Sequence, residues 1–219
     1  MHVANNLSAS SLLAMGPVVP VIVLHDLADA EPLADAVLTG GIHVLEITLR
    51  TPVALDAIRL ISRQFAKACV GAGTVINGQQ LQQCREAGAQ FAISPGATPA
   101  LLKAGLASDI PLIPGVSSVS EIMEGLDHGY HEFKFFPAEA IGGIKLLKAL
   151  SAPFPTLKFC PTGGIHDKNY LDYLALPNVE CVGGSWIVPD EAIKQKNWSL
   201  ITHLCATALE KALHPAAVN

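Results

Sequence analysis

His131-Glu132-Phe133-Lys134-Phe135-Phe136-Pro137 is a short apolar run, typical of a buried β-strand, that holds one lysine at its centre. Burial disfavours the charged form of an amine, and an uncharged lysine is a nucleophile toward carbonyls, which is the starting condition for a Schiff base. The alternative places Lys134 on an edge strand with its ammonium in water, which is the commoner outcome for a lysine in general. The rest of the chain has to decide between these two interpretations.

Seven other runs of this kind occur along the chain, and Ala- and Leu-rich amphipathic stretches of helical length separate them. The eight predicted strands cover residues 18–24, 44–49, 69–75, 91–94, 111–114, 132–136, 157–161 and 179–182. Divided by eight, the 219 residues give about 27 per unit, which suits a compact (β/α)8 barrel. A doubly wound sheet is the competing architecture, but the glycine-rich dinucleotide turn that usually follows its first strand is missing here. We therefore predict an α/β fold, a (β/α)8 TIM barrel with a short N-terminal helical segment, in a single domain over residues 1–219.

The composition argues against several classes of partner. Half of the residues are hydrophobic and 15% are charged, as expected for strands that are covered on both faces. The formal net charge of -5 and the lack of a basic run argue against a nucleic-acid surface. Gly16, Pro17 and Pro20 interrupt the first apolar stretch and no basic segment precedes it, so we expect neither a signal peptide nor a membrane-spanning helix.

The cysteines and histidines show no spacing typical of a metal site or a disulfide framework. The cysteines are Cys69, Cys84, Cys160, Cys181 and Cys205, an odd number without a Cys-x-x-Cys pair. The eight histidines form neither a His-x-His nor a His-Glu-x-x-His motif. We expect a metal-independent protein without a cofactor, in a reducing cytoplasm.

Strand alternation brings several polar side chains together inside the predicted barrel. In the second strand Glu46, Thr48 and Arg50 share the inner face, because side chains alternate between the two faces with a period of two. The same alternation turns Lys134 inward in the sixth strand. Active sites of such barrels lie at the C-terminal ends of the strands, where these residues are placed.

Each of these residues also has an ordinary structural interpretation. Glu46 and Lys134 could form a buried ion pair without a catalytic function. Arg50 could be a surface arginine, and Thr48 could fill a small gap in the core. Lys158, near the start of the seventh strand, should lie toward the floor of the barrel and is the weaker candidate for a nucleophile.

Glycine-rich segments follow several of the predicted strands and could be no more than tight turns. They cover residues 71–74, 94–96, 114–115, 161–164 and 183–185. The last two belong to the seventh and eighth strands, whose loops in such barrels often bind phosphate through backbone N–H groups. A phosphorylated substrate is the inference.

Seven motifs, in order along nearly the whole chain, resemble those of the 2-keto-3-deoxy-6-phosphogluconate (KDPG) aldolases, a family of small class I aldolases with a (β/α)8 fold. The motifs are Glu46-Ile47-Thr48-Leu49-Arg50-Thr51, Gly71-Ala72-Gly73-Thr74-Val75, Ser94-Pro95-Gly96, Pro114-Gly115-Val116, Lys134-Phe135-Phe136-Pro137-Ala138-Glu139, Pro161-Thr162-Gly163-Gly164-Ile165 and Val182-Gly183-Gly184-Ser185-Trp186. The resemblance implies that Lys134 forms the Schiff base and Glu46 shuttles protons. It further implies that Arg50 and Thr74 hold the carboxylate of the pyruvyl group.

The resemblance also implies how the rest of the substrate is held. Thr162 would line the pocket beside the cleaved bond, and the phosphate would be received by Gly163, Gly164, Gly184 and Ser185. Members of this family are typically homotrimers, and many also cleave 4-hydroxy-2-oxoglutarate (KHG).

Two other functions remain open at this stage. A sugar-phosphate epimerase or isomerase could share the glycine loops without covalent catalysis, and a non-catalytic barrel could bind a phosphorylated keto acid. The sequence also leaves open the configuration at C4 of the substrate, so a galactonate-series keto acid is a further possibility.

Overall fold

A strand forms in each of the eight predicted regions, and a further two-residue strand, at residues 115–116, follows the fifth. The computed structural model describes residues 7–214. Its strands are β1 (Val18–Ile22), β2 (Val44–Thr48), β3 (Cys69–Gly73), β4 (Ala92–Ile93), β5 (Leu112–Ile113), β6 (Gly115–Val116), β7 (Glu132–Phe135), β8 (Lys158–Pro161) and β9 (Val182–Gly184). Three of the predicted glycine turns are therefore corrected: Gly71 and Gly73 lie inside β3, Gly115 begins β6, and Gly183 and Gly184 lie inside β9.

Helices alternate with these strands along the chain. They are α1 (Ala9–Leu13), α2 (Ala30–Thr39), α3 (Ala54–Gln64), α4 (Gly78–Glu86), α5 (Pro99–Leu106), α6 (Val119–Asp127), α7 (Gly143–Leu150), α8 (Tyr170–Leu174), α9 (Asp190–Lys194) and α10 (Trp198–Leu213). Short 3-10 turns precede α2 and α7, at Leu27–Asp29 and Glu139–Ile141. The predicted N-terminal helical segment is α1, and in the part of the chain described no helix has the length and apolarity needed to span a membrane.

Hydrogen-bonded strand pairing runs almost completely around a barrel, and every pairing is parallel. One sheet has the order β5-β4-β3-β2-β1-β9 and the other has the order β6-β7-β8. Pro114 separates β5, which pairs with β4, from β6, which pairs with β7. Bridges from Phe159 to Val179 and from Thr162 to Gly183 join β8 to the β9 region and close the ring. The predicted α/β barrel fold is confirmed.

The wall of the barrel separates two hydrophobic clusters. In β2, Leu45 and Ile47 face outward and pack with the helices, whereas Val44 belongs to a smaller cluster inside the barrel. This is the alternation expected from the sequence. The inner cluster lies at the N-terminal ends of the strands, and Leu12 and Leu13 of α1 pack into it and close the floor of the barrel.

Local sequence explains where several helices begin. The side chains of Asn77, Thr98 and Ser118 accept hydrogen bonds from backbone N–H groups in the first turns of α4, α5 and α6. Such caps satisfy N–H groups that have no partner within the helix, at about 0.5–2 kcal/mol each. These helices follow β3, β4 and β6 after loops of four, five and two residues, which lie at the mouth of the barrel. All five cysteines are free and buried.

Candidate active site

Lys134 and Glu46 meet inside the barrel from opposite walls. Lys134 is the third residue of β7 and Glu46 the third residue of β2, and these strands stand opposite each other in the ring. The Nζ of Lys134 lies 3.4 Å from the Oε1 of Glu46, and the two residues are only 4% and 1% exposed. The edge-strand interpretation of Lys134 is therefore wrong. A buried amine at hydrogen-bond distance from a carboxylate can exchange its proton with that carboxylate.

Glycines in β3 make the room that Glu46 occupies. Gly71 and Gly73 face the interior, and a Cβ atom at Gly73 would collide with the carboxylate of Glu46. A Cβ atom at Gly71 would collide with the ring of Phe91. Because the two inward positions of Gly71-Ala72-Gly73 carry no side chain, the wall of the barrel has room there for the carboxylate of Glu46 and the ring of Phe91.

Phe136 is a contact of Lys134 that was not identified from the sequence. Its ring centroid lies 5.1 Å from the Nζ of Lys134, a distance at which an ammonium is attracted to the ring face. Strand alternation could have found it, because Phe136 stands two residues after Lys134 and shares its face.

A cleft of about 260 Å³ opens at the C-terminal ends of the strands, where Phe136 is part of its wall. Its lining includes six of the nine predicted site residues, which are Arg50, Thr162, Gly163, Gly164, Gly184 and Ser185. The remaining lining residues are Val21, Val23, Phe136, Ile165, Gly183 and Asp190. Lys134 and Glu46 are buried beside this cleft rather than in its lining. Asp190 had no recognisable signal in the sequence.

Arg50 follows β2 at the mouth of the barrel and is exposed to the cleft. Within residues 7–214 its guanidinium pairs with no carboxylate. An unpaired guanidinium in a cleft is suited to bidentate hydrogen bonds with a carboxylate ligand.

Thr74 and Thr48 differ in what the structure supports. Thr74 directly follows β3, is half-buried and has a φ of 60°, a left-handed conformation that is strained for a β-branched residue. It does not line the cleft, so its function stays a prediction. Thr48 donates a hydrogen bond of 2.8 Å to the carbonyl of Ile22, which ties β2 to β1 and accounts for this residue structurally.

The turn after β8 presents backbone N–H groups at the cleft. Gly163 and Gly164 have φ values of 99° and 78°, which favour glycine. Among the described residues, the N–H groups of Gly164 and Ser185 have no hydrogen-bond acceptor, whereas the N–H of Gly163 faces the carbonyl of Gly183 in the bridge between β8 and β9. Free N–H groups that converge on a cleft can bind an anion such as phosphate.

Lys158 lies where the sequence placed it, at the first residue of β8 near the floor. Its ammonium donates a hydrogen bond of 2.9 Å to the carbonyl of Pro177 and lies 3.5 Å from Glu180. No three His, Cys, Asp or Glu side chains among residues 7–214 come together in a way that could hold a metal ion.

Comparisons with known proteins agree on one family. The family model described as KDPG and KHG aldolase matches residues 9–204. The KHG/KDPG aldolase of Escherichia coli K12 is 58% identical over 205 residues, covering 94% of this chain and 96% of the relative. A KDPG aldolase structure from Legionella pneumophila, with pyruvate captured as a covalent carbinolamine intermediate, is 63% identical with a TM-score of 0.89, covering 90% of this chain and 96% of its own.

A third similarity comes from the KDPG aldolase of Zymomonas mobilis ZM4, whose structure was solved with 3-phosphoglycerate. It is 46% identical with a TM-score of 0.88, and the match covers 91% of this chain and 94% of the other. These matches span the strands that carry Glu46 and Lys134 and favour an aldolase over the epimerase, the isomerase and the non-catalytic barrel. The chain belongs to the KDPG and KHG aldolase family.

Proposed function

We infer that this protein is a metal-independent class I aldolase that reversibly cleaves KDPG to pyruvate and glyceraldehyde 3-phosphate. We propose that it also cleaves KHG to pyruvate and glyoxylate. The observation that carries this inference is the buried contact of 3.4 Å between Lys134 and Glu46, beside a cleft whose guanidinium and backbone N–H groups have no partner among the described residues. Family membership and the carbinolamine captured in the Legionella relative support it.

The first half of the reaction builds an electron sink on Lys134. Glu46 takes a proton from the ammonium, and the free amine attacks the C2 ketone of the keto acid to form a carbinolamine. Glu46 returns a proton to the departing hydroxyl, water leaves, and an iminium remains. The short distance between the two side chains allows these transfers without rearrangement of the site.

The second half breaks the carbon–carbon bond. Glu46, directly or through one water, removes the proton of the C4 hydroxyl, the C3–C4 bond breaks and its electrons move into the iminium. The products of this step are an aldehyde and an enamine. Protonation at C3 and hydrolysis of the new iminium then release pyruvate and restore Lys134.

The remaining predicted residues orient the substrate. We propose that Arg50 and Thr74 bind the carboxylate beside C2, which fixes the ketone near Lys134. Thr162 lines the pocket beside the cleaved bond. Its hydroxyl lies against Gly183, where a Cβ atom would collide with it.

We propose that the phosphate is bound by the two glycine-rich segments after β8 and within β9. The residues are Gly163, Gly164, Gly184 and Ser185, all of which line the cleft. The N–H groups of Gly164 and Ser185, which have no acceptor within residues 7–214, support this assignment.

A pyruvate assay coupled to lactate dehydrogenase tests the function on three substrates: KDPG, its C4 epimer and KHG. We expect rapid pyruvate release from KDPG and slower release from KHG, both unchanged by EDTA. No pyruvate from any of the three would contradict the proposed activity. A clear preference for the epimer would assign the chain to the galactonate series.

We also propose that the chain is one domain and assembles as a homotrimer, as the family resemblance implies. One continuous outer cluster, from Val18 to Ala208, supports the single domain. Exposed apolar side chains at Ile76, Leu106 and Met123 are suited to contacts between subunits. Light scattering should give three times the chain mass of 23.0 kDa, and the mass of a single chain would contradict the trimer.

We place the protein in the cytoplasm because its five cysteines are all free thiols, as is usual in a reducing compartment. Cell fractionation checks this, and recovery with a secreted or periplasmic fraction would contradict it.

A further inference from the structure

We propose that Tyr173 and Glu139 are positioning residues that hold the glycine turn after β8 and thereby set the affinity for the phosphorylated end of the substrate. This inference rests on the proposed function, because it concerns the same phosphate site. Neither residue lines the cleft, so each would act through the turn.

The pair is a hydrogen bond between a buried hydroxyl and a carboxylate. Tyr173, in α8, is fully buried, and its hydroxyl donates to the Oε1 of Glu139 in the 3-10 turn after β7. Burial and this hydrogen bond raise the pKa of Tyr173, so the phenol keeps its proton and remains a donor.

Glu139 packs directly against the turn through its side chain. A Cβ atom at Gly164 would lie 2.6 Å from the Cγ of Glu139, and a Cβ atom at Gly143 would lie 2.7 Å from the Tyr173 hydroxyl. The carboxylate and the phenol therefore fill a space that exists because these two positions are glycine. Loss of the hydrogen bond would free the Glu139 side chain to move against Gly164.

Three successive carbonyl groups of the turn accept hydrogen bonds from neighbouring segments of the chain. The N–H groups of Ala138 and Glu139 donate to the carbonyls of Thr162 and Gly163, at 2.8 and 3.1 Å. The Nδ2 of Asn169 donates to the carbonyl of Gly164 at 3.0 Å.

Because the peptide bond is planar, the hydrogen bonds that hold these carbonyl groups also set the directions of the N–H groups that follow them. In a trans peptide the C=O of one residue and the N–H of the next point in opposite directions. Fixing the carbonyls of Thr162 and Gly163 against residues 138–139 therefore directs the N–H groups of Gly163 and Gly164 away from that segment. The N–H of Gly164 has no acceptor among the described residues, that of Gly163 faces the carbonyl of Gly183, and both glycines line the cleft.

The test is Tyr173→Phe, assayed on two substrates that share the pyruvyl half. KDPG carries a phosphate on C6, whereas KHG ends in a carboxylate at C5 and has no group to place on the turn. We expect the KM for KDPG to rise about tenfold, the scale of one lost hydrogen bond to a charged group, with kcat/KM for KHG within about twofold of wild type. The ratio of kcat/KM values for the two substrates is independent of the active fraction, so partial unfolding does not obscure the result.

Tyr170→Phe is the matched control. Tyr170 lies on the same helix, is equally buried, and donates its hydroxyl to the carbonyl of Ala208 at 3.1 Å, away from the turn. We expect this variant to leave the ratio unchanged even where it lowers the melting temperature. Glu139→Gln, which keeps an acceptor oxygen for the phenol, should retain most of the wild-type ratio.

The inference is overturned if Tyr173→Phe changes neither substrate, or lowers kcat/KM for both to the same extent. It is also overturned if Tyr170→Phe shifts the ratio as strongly. Failure of the wild type to cleave KDPG would instead contradict the proposed function, and the two outcomes are distinguishable in one set of assays.

Discussion

Replacing Lys134 with methionine should lower kcat/KM for KDPG by about 10⁴-fold or more, because the substrate then has no amine with which to form an iminium. Methionine is similar in length and apolar, so it can occupy the same buried channel. The measurement is the coupled pyruvate assay, together with borohydride reduction in the presence of pyruvate. In the wild type the mass of a reduced pyruvyl group should appear on the peptide that carries Lys134, and in the variant it should be absent.

The same variant should also be less stable. Removing the ammonium leaves the carboxylate of Glu46 buried without its partner, which costs up to about 3–5 kcal/mol in comparable pairs. Circular dichroism at the assay temperature establishes that the variant is folded. Lys158→Met is the control, because its half-exposed ammonium pairs with Glu180 near the floor and it should keep full activity and full labelling. Full activity in Lys134→Met would refute the Schiff-base assignment.

Glu46→Gln should slow turnover by about two orders of magnitude or more while pyruvate binding is retained. The amide has nearly the shape of the carboxylate and fits beside Gly73, but it cannot carry a proton between steps. Steady-state kcat on KDPG measures the loss. Borohydride trapping of pyruvate after long incubation should still label Lys134, because the nucleophile is present.

Glu132→Gln is the matched control for this second variant. Glu132 begins β7 two residues before Lys134, on the same face of the strand but nearer the floor, so its loss should leave kcat within about twofold. Unchanged turnover in Glu46→Gln would remove Glu46 from the mechanism. Loss of pyruvate labelling would indicate that Glu46 acts mainly by keeping the site intact.

The alternation of side chains in two strands was enough to predict the centre of the site. Glu46 and Lys134 each lie in a strand with apolar outward residues on both sides, and a closed barrel leaves only one direction for the inward ones. The strand regions could be predicted for the same reason. The ends of the strands could not be predicted, because regular strand pairing stops where the neighbouring strand ends. In β9, for example, the strand begins at Val182, although Val179 already forms an isolated bridge.

Other features depend on contacts between distant parts of the chain, which local pattern does not encode. The pairing of Tyr173 with Glu139 joins residues 34 positions apart. The glycines of β3 resembled a turn in the sequence, whereas their position beside Glu46 and Phe91 shows that they provide space within a strand. The left-handed φ of Thr74 runs against the preference of a β-branched residue and could not be predicted from propensity.

The helix α1 has a consequence for the order in which products depart. In the part of the chain that the structure describes, Leu12 and Leu13 fill the N-terminal end of the lumen, and the cleft opens at the strand ends that carry Arg50 and the glycine segments. In the proposed mechanism the three-carbon unit stays bonded to Lys134, which is buried beside the cleft, while the aldehyde is no longer held by a covalent bond. The proposed mechanism therefore predicts that the aldehyde leaves first and pyruvate last through the mouth opposite α1, and that in the synthetic direction the keto acid enters before its partner.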